Sequence, residues 1–243
     1  MFTAITSLQQ APCIFLTLIS SLILIKSIKK MDNHSFSLFI FIVGSLTCFF
    51  DFLTTPIFSL VCPILIYVLY QKRICETPKN NILSIINYSI VWGMSYSITW
   101  ITKWITVDIV LHKDVVNSSL NQVLYRINGE FDKFSGNFKA VLTYIMVYTF
   151  FAISIILIAK VLSMIIQKND TNNSKKNSVK DYLRNSGDLL FICLLPILWM
   201  IITSNHILVH PHFTIKNIFA IIFIIIYFSI IPKENLINKK QVQ

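Results

Sequence analysis

Apolar residues recur along this chain in seven long runs, at 11–25, 35–50, 57–71, 82–102, 140–166, 189–203 and 218–231, with polar and basic residues gathered between them. Roughly 17 to 25 apolar residues cross a hydrocarbon core, and a helix satisfies its own backbone hydrogen bonds in a solvent that offers none. The pattern predicts an all-α fold, a polytopic transmembrane bundle of about seven helices forming a single transmembrane domain over 1–243. The runs at 35–50 and 57–71 are short, since sixteen residues reach only about 24 Å. Asp51 to Thr55 lie between them and Pro56 suits a helix start, so the two read as a helical hairpin with its tip at Asp51. The run at 140–166 is long enough to tilt. Residues 103–137 form an external amphipathic segment in which Val116, Leu120, Val123, Leu124 and Ile127 alternate with Asn117, Ser118, Ser119, Asn121 and Gln122. That is the pattern of a helix lying on the outer surface, where it could cover a cavity or simply rest on lipid. Residues 168–188 hold a tract of Asn, Asp, Ser, Thr and Lys and read as a cytoplasmic loop.

Composition supports the same class and excludes others. The chain is 55% hydrophobic and 13% charged, with a mean hydropathy of +0.68, far more apolar than an ordinary soluble domain. Its net charge of +10 could suggest a nucleic-acid partner, but the Lys and Arg residues cluster between the apolar runs. With the N-terminus outside and the C-terminus cytoplasmic, 15 of the 21 basic residues fall on the inner side, the imbalance that sets membrane orientation. The charge therefore marks topology, and no nucleic-acid partner is expected. No basic residue precedes the run at 11–25, so it does not read as a signal peptide. Cys13, Cys48, Cys62, Cys75 and Cys193 lie in or beside apolar runs without the paired spacing of disulfide or zinc frameworks. Phosphate-binding Gly-rich loops, nucleophile elbows and His-Glu-x-x-His signatures are all missing from the sequence.

In that orientation the chemistry-bearing residues gather on the extracytoplasmic side: Asp51, then Trp100, Lys103, Trp104, Asp108 and His112, and the segment from Asn205 to Thr214. Ionisable groups at a membrane boundary mark a functional-site hypothesis, because leaving them against lipid costs on the order of 2.5 to 3.5 kcal/mol at mid-bilayer. Asp51 lies between Phe50 and Phe52, where burial would raise its pKa for general base work; the alternative is a helix cap. In a helix, His206 and His210 would be spaced to share a divalent metal, with Asp51 or His212 as third ligand, unless they bind substrate or simply sit at the interface. Pro211 would stop such a helix. Trp100, Trp104, Asp108 and His112 recur at every fourth position and share one helical face, with Lys103 close by. Lys103 could hold an anionic headgroup or diphosphate beside the tryptophans, or snorkel to water.

The string from Gly44 through Asp51 to Pro56, Trp92-Gly93-Met94-Ser95-Tyr96 with Trp100, Lys103 and Trp104, the stretch Asn117 to Arg126, and Leu198-Trp199 followed by Asn205 to Thr214 together carry a resemblance. In order and spacing they resemble an uncharacterised family of multi-spanning membrane proteins from low-GC Gram-positive bacteria, and through it membrane glycosyltransferases of the GT-C type. The resemblance implies an enzyme in the cell membrane that uses a polyprenyl-phosphate-linked sugar on the outer face for surface glycan or glycolipid assembly. It implies catalytic roles for Asp51, His206 and His210, and substrate binding by Trp100, Lys103, Trp104, Asn205, His212 and Lys216. The mechanism would be an inverting displacement, with a carboxylate base and cations or a divalent metal stabilising the departing phosphate. Family members carry a further N-terminal membrane half with an acidic external loop, so this chain is expected to correspond to the C-terminal portion and to work with a separate N-terminal half or another membrane subunit. Lys216 stands where the family has arginine, which keeps the charge but loses the bidentate fork. The alternative expectation is a non-catalytic transporter or accessory subunit for lipid-linked substrate; the apolar helix centres and the lack of a visible repeat weigh against a transporter.

Overall fold

A computed structural model of the chain describes residues 11–50, 56–74, 82–128, 187–203 and 221. Among these residues all regular structure is helical: α1 (Ala11–Ser27), a 3-10 turn at Ile28–Lys30, α2 (Asn33–Phe50), α3 (Ile57–Ile74), α4 (Ile82–Leu111), α5 (Val115–Asn128) and α6 (Gly187–Ile202). The chain is thus all-α over the described residues. Two of its helical stretches, Ala11–Lys30 and Asn33–Phe50, are long and apolar enough to cross a membrane, and Ile57–Lys72 and Gly187–Ile202 are shorter apolar helices. The apolar runs expected at 140–166 and, apart from Ile221, at 218–231 lie outside the described residues.

Local chemistry sets the helix starts. Asp32 precedes α2; its carbonyl accepts the Phe36 N–H at 2.9 Å and its Oδ1 accepts the Ser35 N–H at 2.9 Å. A side-chain oxygen that takes an otherwise unpaired first-turn N–H is an N-cap. The hydrogen bonds from Ser35 hold the Asp32 carboxyl below its ordinary 3.8. Pro56 precedes α3, and its carbonyl accepts both the N–H of Ser59, at 3.1 Å, and its hydroxyl, at 2.9 Å. Proline suits this position because it donates no N–H and has a helix-compatible φ.

Two boundaries differ from the sequence reading. The span read to about Thr102 is part of a longer helix: α4 continues to Leu111, about 45 Å of helix, so residues 103–111 belong to it, and among the described residues the surface-type pattern falls on α5. It ends at His112, whose φ of 49° leaves the helical region. Nor does the polar loop reach residue 188, because α6 starts at Gly187 and Asp188 is buried, its Oδ1 2.8 Å from Lys72 Nζ. Charge in a polar-looking tract had masked a first-turn carboxylate held by a partner on α3.

Contacts fix the directions of the helices. The hydroxyl of Tyr67 on α3 donates to Asn33 Oδ1 at the start of α2, and that of Thr47 near the end of α2 donates to Ser59 Oγ near the start of α3. These two helices are therefore antiparallel. The α4 helix runs parallel to α2, since Tyr88 meets Phe36 at one level and Lys103 meets Cys48 at another. The bundle so has a lysine-rich end, with Lys26, Lys29, Lys30 and Lys72, and a tryptophan end, with Trp100 and Trp104. Helix α1 packs on α3 and α2, α2 on α4, α6 on α3 and α4, and α5 on the outer part of α4. One apolar core joins all of these helices except α5, centred on Phe36, Ile64, Tyr67, Tyr88 and Ile192.

The polarity of the surface is inverted relative to a soluble bundle. In α1 the buried face carries Cys13, Thr17, Ser20 and Leu24, while Phe15, Leu18, Leu22 and Ile23 are each more than half exposed. The buried hydroxyls are satisfied along the helix, Thr17 donating to the Cys13 carbonyl at 2.8 Å and Ser20 to that of Thr17 at 3.0 Å. Large apolar patches of this kind are rarely left to water. Small residues line the closest contact: a Cβ on Gly44 of α2 would collide with Ser95 Oγ and stand 2.8 Å from the Trp92 carbonyl oxygen of α4. Close backbone approach through small residues is how helices associate where lipid competes for every apolar contact.

Candidate functional site

Helix α4 positions the site. Trp92, Tyr96, Trp100 and Trp104 occupy every fourth position and so share one face. Their ring centroids follow one another at 5.0, 5.9 and 4.9 Å. The ladder begins in the core, where Trp92 is buried, its indole N–H donates to Ser59 Oγ at 3.2 Å, and its ring meets Trp199 of α6 edge-on at 6.4 Å. It ends half-buried at Trp100 and Trp104.

There the ladder forms one wall of a cleft of about 130 Å³, closed on the other side by Ser118, Ser119, Gln122 and Val123 of α5. This is small beside the roughly 300–1,000 Å³ of drug-sized ligand pockets and suits a single ring or headgroup. The turn between α4 and α5 sets the opposite wall. Asp108 Oδ1 accepts the Val115 N–H at 2.7 Å, and Asp114 accepts from both the Asn117 N–H, at 3.3 Å, and its side-chain amide, at 2.8 Å. Both carboxylates therefore hold the joint that orients α5.

Lys103 points to the neighbouring helix. Its Nζ lies 3.4 Å from the Cys48 carbonyl oxygen and 5.3 Å from the centre of the Phe49 ring, in the last turn of α2. A cation at the carbonyl end of a helix complements its dipole. Of the face that was expected to run from Trp100 to His112, Trp100 and Trp104 line the cleft, Asp108 braces α5 and His112 lies beyond the end of α4. Asp51, Asn205, His206, His210, His212 and Lys216 lie outside the described residues. Among the described residues, no three His, Cys, Asp or Glu side chains gather closely enough to hold a metal ion.

Sequence reasoning missed the inward half of the ladder, for which the every-fourth spacing of Trp92 and Tyr96 with Trp100 was the available signal. For α5 it left open a helix that covers a cavity and one that rests on lipid, and α5 does line the cleft. Which of its side chains face the cleft was not legible, because Ser118, Ser119 and Gln122 acquire that place only when the turn folds α5 back on α4.

Among the described residues the arrangement is all-helical, with two helical stretches long and apolar enough to cross a membrane and an aromatic cleft with hydroxyl and amide groups at one end of the bundle. No protein family matches this chain, and neither a curated protein nor a solved structure is similar to it.

Proposed function

We propose that this chain is a multi-pass protein of the cell membrane, oriented with its N-terminus outside, that binds the sugar of a lipid-linked donor on the extracytoplasmic face. The carrying observation is the cleft in which Trp100 and Trp104 face Ser118, Ser119 and Gln122. Flat aromatic rings offer an apolar platform for the C–H face of a sugar ring, and hydroxyl and amide groups match its hydroxyls. In this reading the 30-residue α4 crosses the membrane and its tryptophan end lies at the level of a lipid-linked headgroup, where interfacial tryptophans are at home. Lys103, one position before Trp104, rests against the Cys48 carbonyl at the end of α2, and in this reading its long side chain swings from there to the phosphate that joins sugar to lipid.

In the GT-C-like reading the bound sugar is then transferred, with Asp51 as base and His206 and His210 beside the leaving phosphate, and Asn205, His212 and Lys216 completing the substrate site. A non-catalytic holder of the same lipid-linked sugar is the second reading. It is favoured by Asp108 and Asp114, the acidic groups nearest the cleft in sequence, both being engaged in backbone or capping bonds.

The test is direct. The full-length protein in detergent is mixed with a short-chain polyprenyl-phosphate hexose carrying a photoreactive group, and labelling is scored for wild type, Trp104→Ala and Gln122→Leu. Labelling of wild type that falls at least about tenfold in both variants supports binding; equal labelling of all three sinks it. Transfer is read separately: Asp51→Asn and His206→Ala must change surface glycan composition in a strain that depends on the gene, and unchanged glycan leaves the holder reading.

A further inference from the structure

A second cleft lies at the other end of the bundle. It measures about 260 Å³ and is lined by Asn33 and Ser37 of α2 and by Leu83, Ser84, Asn87 and Tyr88 of α4. Five of these six side chains can hydrogen-bond, which is unusual between two helices whose outward faces otherwise carry Leu38, Ile42, Leu83 and Ile90. The Asn33 amide is already oriented: its Oδ1 takes the Tyr67 hydroxyl proton at 3.1 Å, which turns its NH₂ away as donor. Ser37 Oγ gives its proton to the Asn33 carbonyl at 2.9 Å. The Asn87 side chain is exposed at the lip.

Among the described residues before Asn33, the charge is mostly positive. Lys29 and Lys30 are exposed on the 3-10 turn just before Asn33, and Lys26 is exposed in the last turn of α1. The nearest carboxylate in sequence, Asp32, is engaged with the Ser35 N–H at 2.9 Å. Amide donors between two helices, with lysines around them and Leu83 and Ile90 exposed beside them, match a group that is anionic at its head and apolar behind it.

We propose that this cleft binds the phosphodiester headgroup of an anionic phospholipid, with the acyl chains lying along the exposed faces of α2 and α4. Asn33 and Asn87 donate to the phosphate oxygens, and Lys29 and Lys30 supply the charge. Basic pockets between membrane helices on the cytoplasmic side take acidic headgroups in this way. The proposal rests on the membrane reading above, and its assignment to the inner leaflet on the orientation proposed there.

The experiment places the full-length protein in phosphatidylcholine nanodiscs, titrates phosphatidylglycerol, and counts retained lipid by native mass spectrometry. Saturable retention of phosphatidylglycerol is expected, weakened about tenfold by Asn87→Leu and by the paired change Lys29→Gln and Lys30→Gln, as for loss of a hydrogen bond to a charged group. Lys113→Gln, at the opposite end, leaves retention unchanged. Asn87 is exposed, so its variant folds, and the lysine pair gives a second reading that leaves the cleft lining intact. Retention equal to that of phosphatidylcholine, or unaffected by both changes, overturns the proposal. Full displacement of the lipid by soluble glycerol phosphate overturns the lipid assignment in favour of a free phosphate ligand. Accessibility of a cysteine placed at Lys29 to an impermeant reagent in intact cells reports orientation independently, so a failure of topology is told apart from a failure of lipid binding.

Discussion

Replacing Lys72 by methionine removes the ion-pair partner of the Asp188 carboxylate at the start of α6, and replacing Asp188 by leucine removes the carboxylate that the Lys72 ammonium on α3 meets. The two groups stand 2.8 Å apart with side chains 16% and 9% exposed. At an effective dielectric near 20 their attraction is about 6 kcal/mol, but desolvating the two ions costs several kcal/mol each, so the pair contributes little net stability. Removing one partner is different, because the survivor keeps its desolvation cost: buried pairs lose roughly 3 to 5 kcal/mol. Residual water access lowers the expected loss here to about 2 kcal/mol for each single variant. Asp188→Leu is the milder, since a lysine stem can carry its charge to water and an aspartate cannot. The double variant loses about 1 kcal/mol, a coupling of about 3 kcal/mol. Unfolding of the intact protein by increasing SDS in mixed micelles, followed by far-ultraviolet circular dichroism, measures all four corners of the cycle. A double-variant loss equal to that of the two singles combined would refute the reasoning, and α3 and α6 would then be held by apolar contacts alone.

Other consequences are equally open to measurement. Gly44→Val drives its side chain into Ser95 and the Trp92 carbonyl; it should cost at least about 1 to 3 kcal/mol in the same titration, with Gly44→Ala intermediate, and a valine variant as stable as wild type would mean that α2 and α4 do not approach closely. Asp32 has a depressed pKa because Ser35 hydrogen-bonds its carboxylate, so its cap is fully present above 3.8 and is lost as pH falls through the lower folded value. Protection of the Ser35 amide, its exchange relative to the intrinsic rate at each pH, should therefore hold from neutral pH down to about 4 and fall away below it, whereas Asp32→Ala is unprotected throughout; a midpoint above 3.8 contradicts the assignment.

The helical class was legible because hydropathy and period are local properties: Cys13, Thr17, Ser20 and Leu24 share a face whatever else the chain does. What the pattern could not carry is partnership across the bundle. Asp188 sits beside a polar tract and reads as loop until Lys72, far away in sequence, is brought to its side. Lys103 reads as a residue beside tryptophans, and it is, but its ammonium reaches a carbonyl 55 residues earlier in the chain. The span was drawn to end near Thr102 because Lys103 and Asp108 look like its edge, while the helix itself runs on through Thr102, Thr106 and the apolar residues between them to Leu111, in keeping with the face shared by Trp100, Trp104 and Asp108. Of the candidate site, the tryptophan wall was legible from spacing. The facing wall was left open between covering a cavity and resting on lipid, since the choice depends on how sharply the chain turns between Leu111 and Val115.

The aromatic ladder has a practical side. All four tryptophans of the chain belong to it or touch it, linked by ring-to-ring steps of 6.4 Å or less with Tyr96 as the one intermediary. Rings so close couple electronically, and each lies in a fixed chiral arrangement. The protein thus carries its own optical gauge. A ligand entering beside Trp104 would alter the near-ultraviolet dichroism at one end of the array, and a shift of α6 would alter it at the other through Trp199, without any added dye.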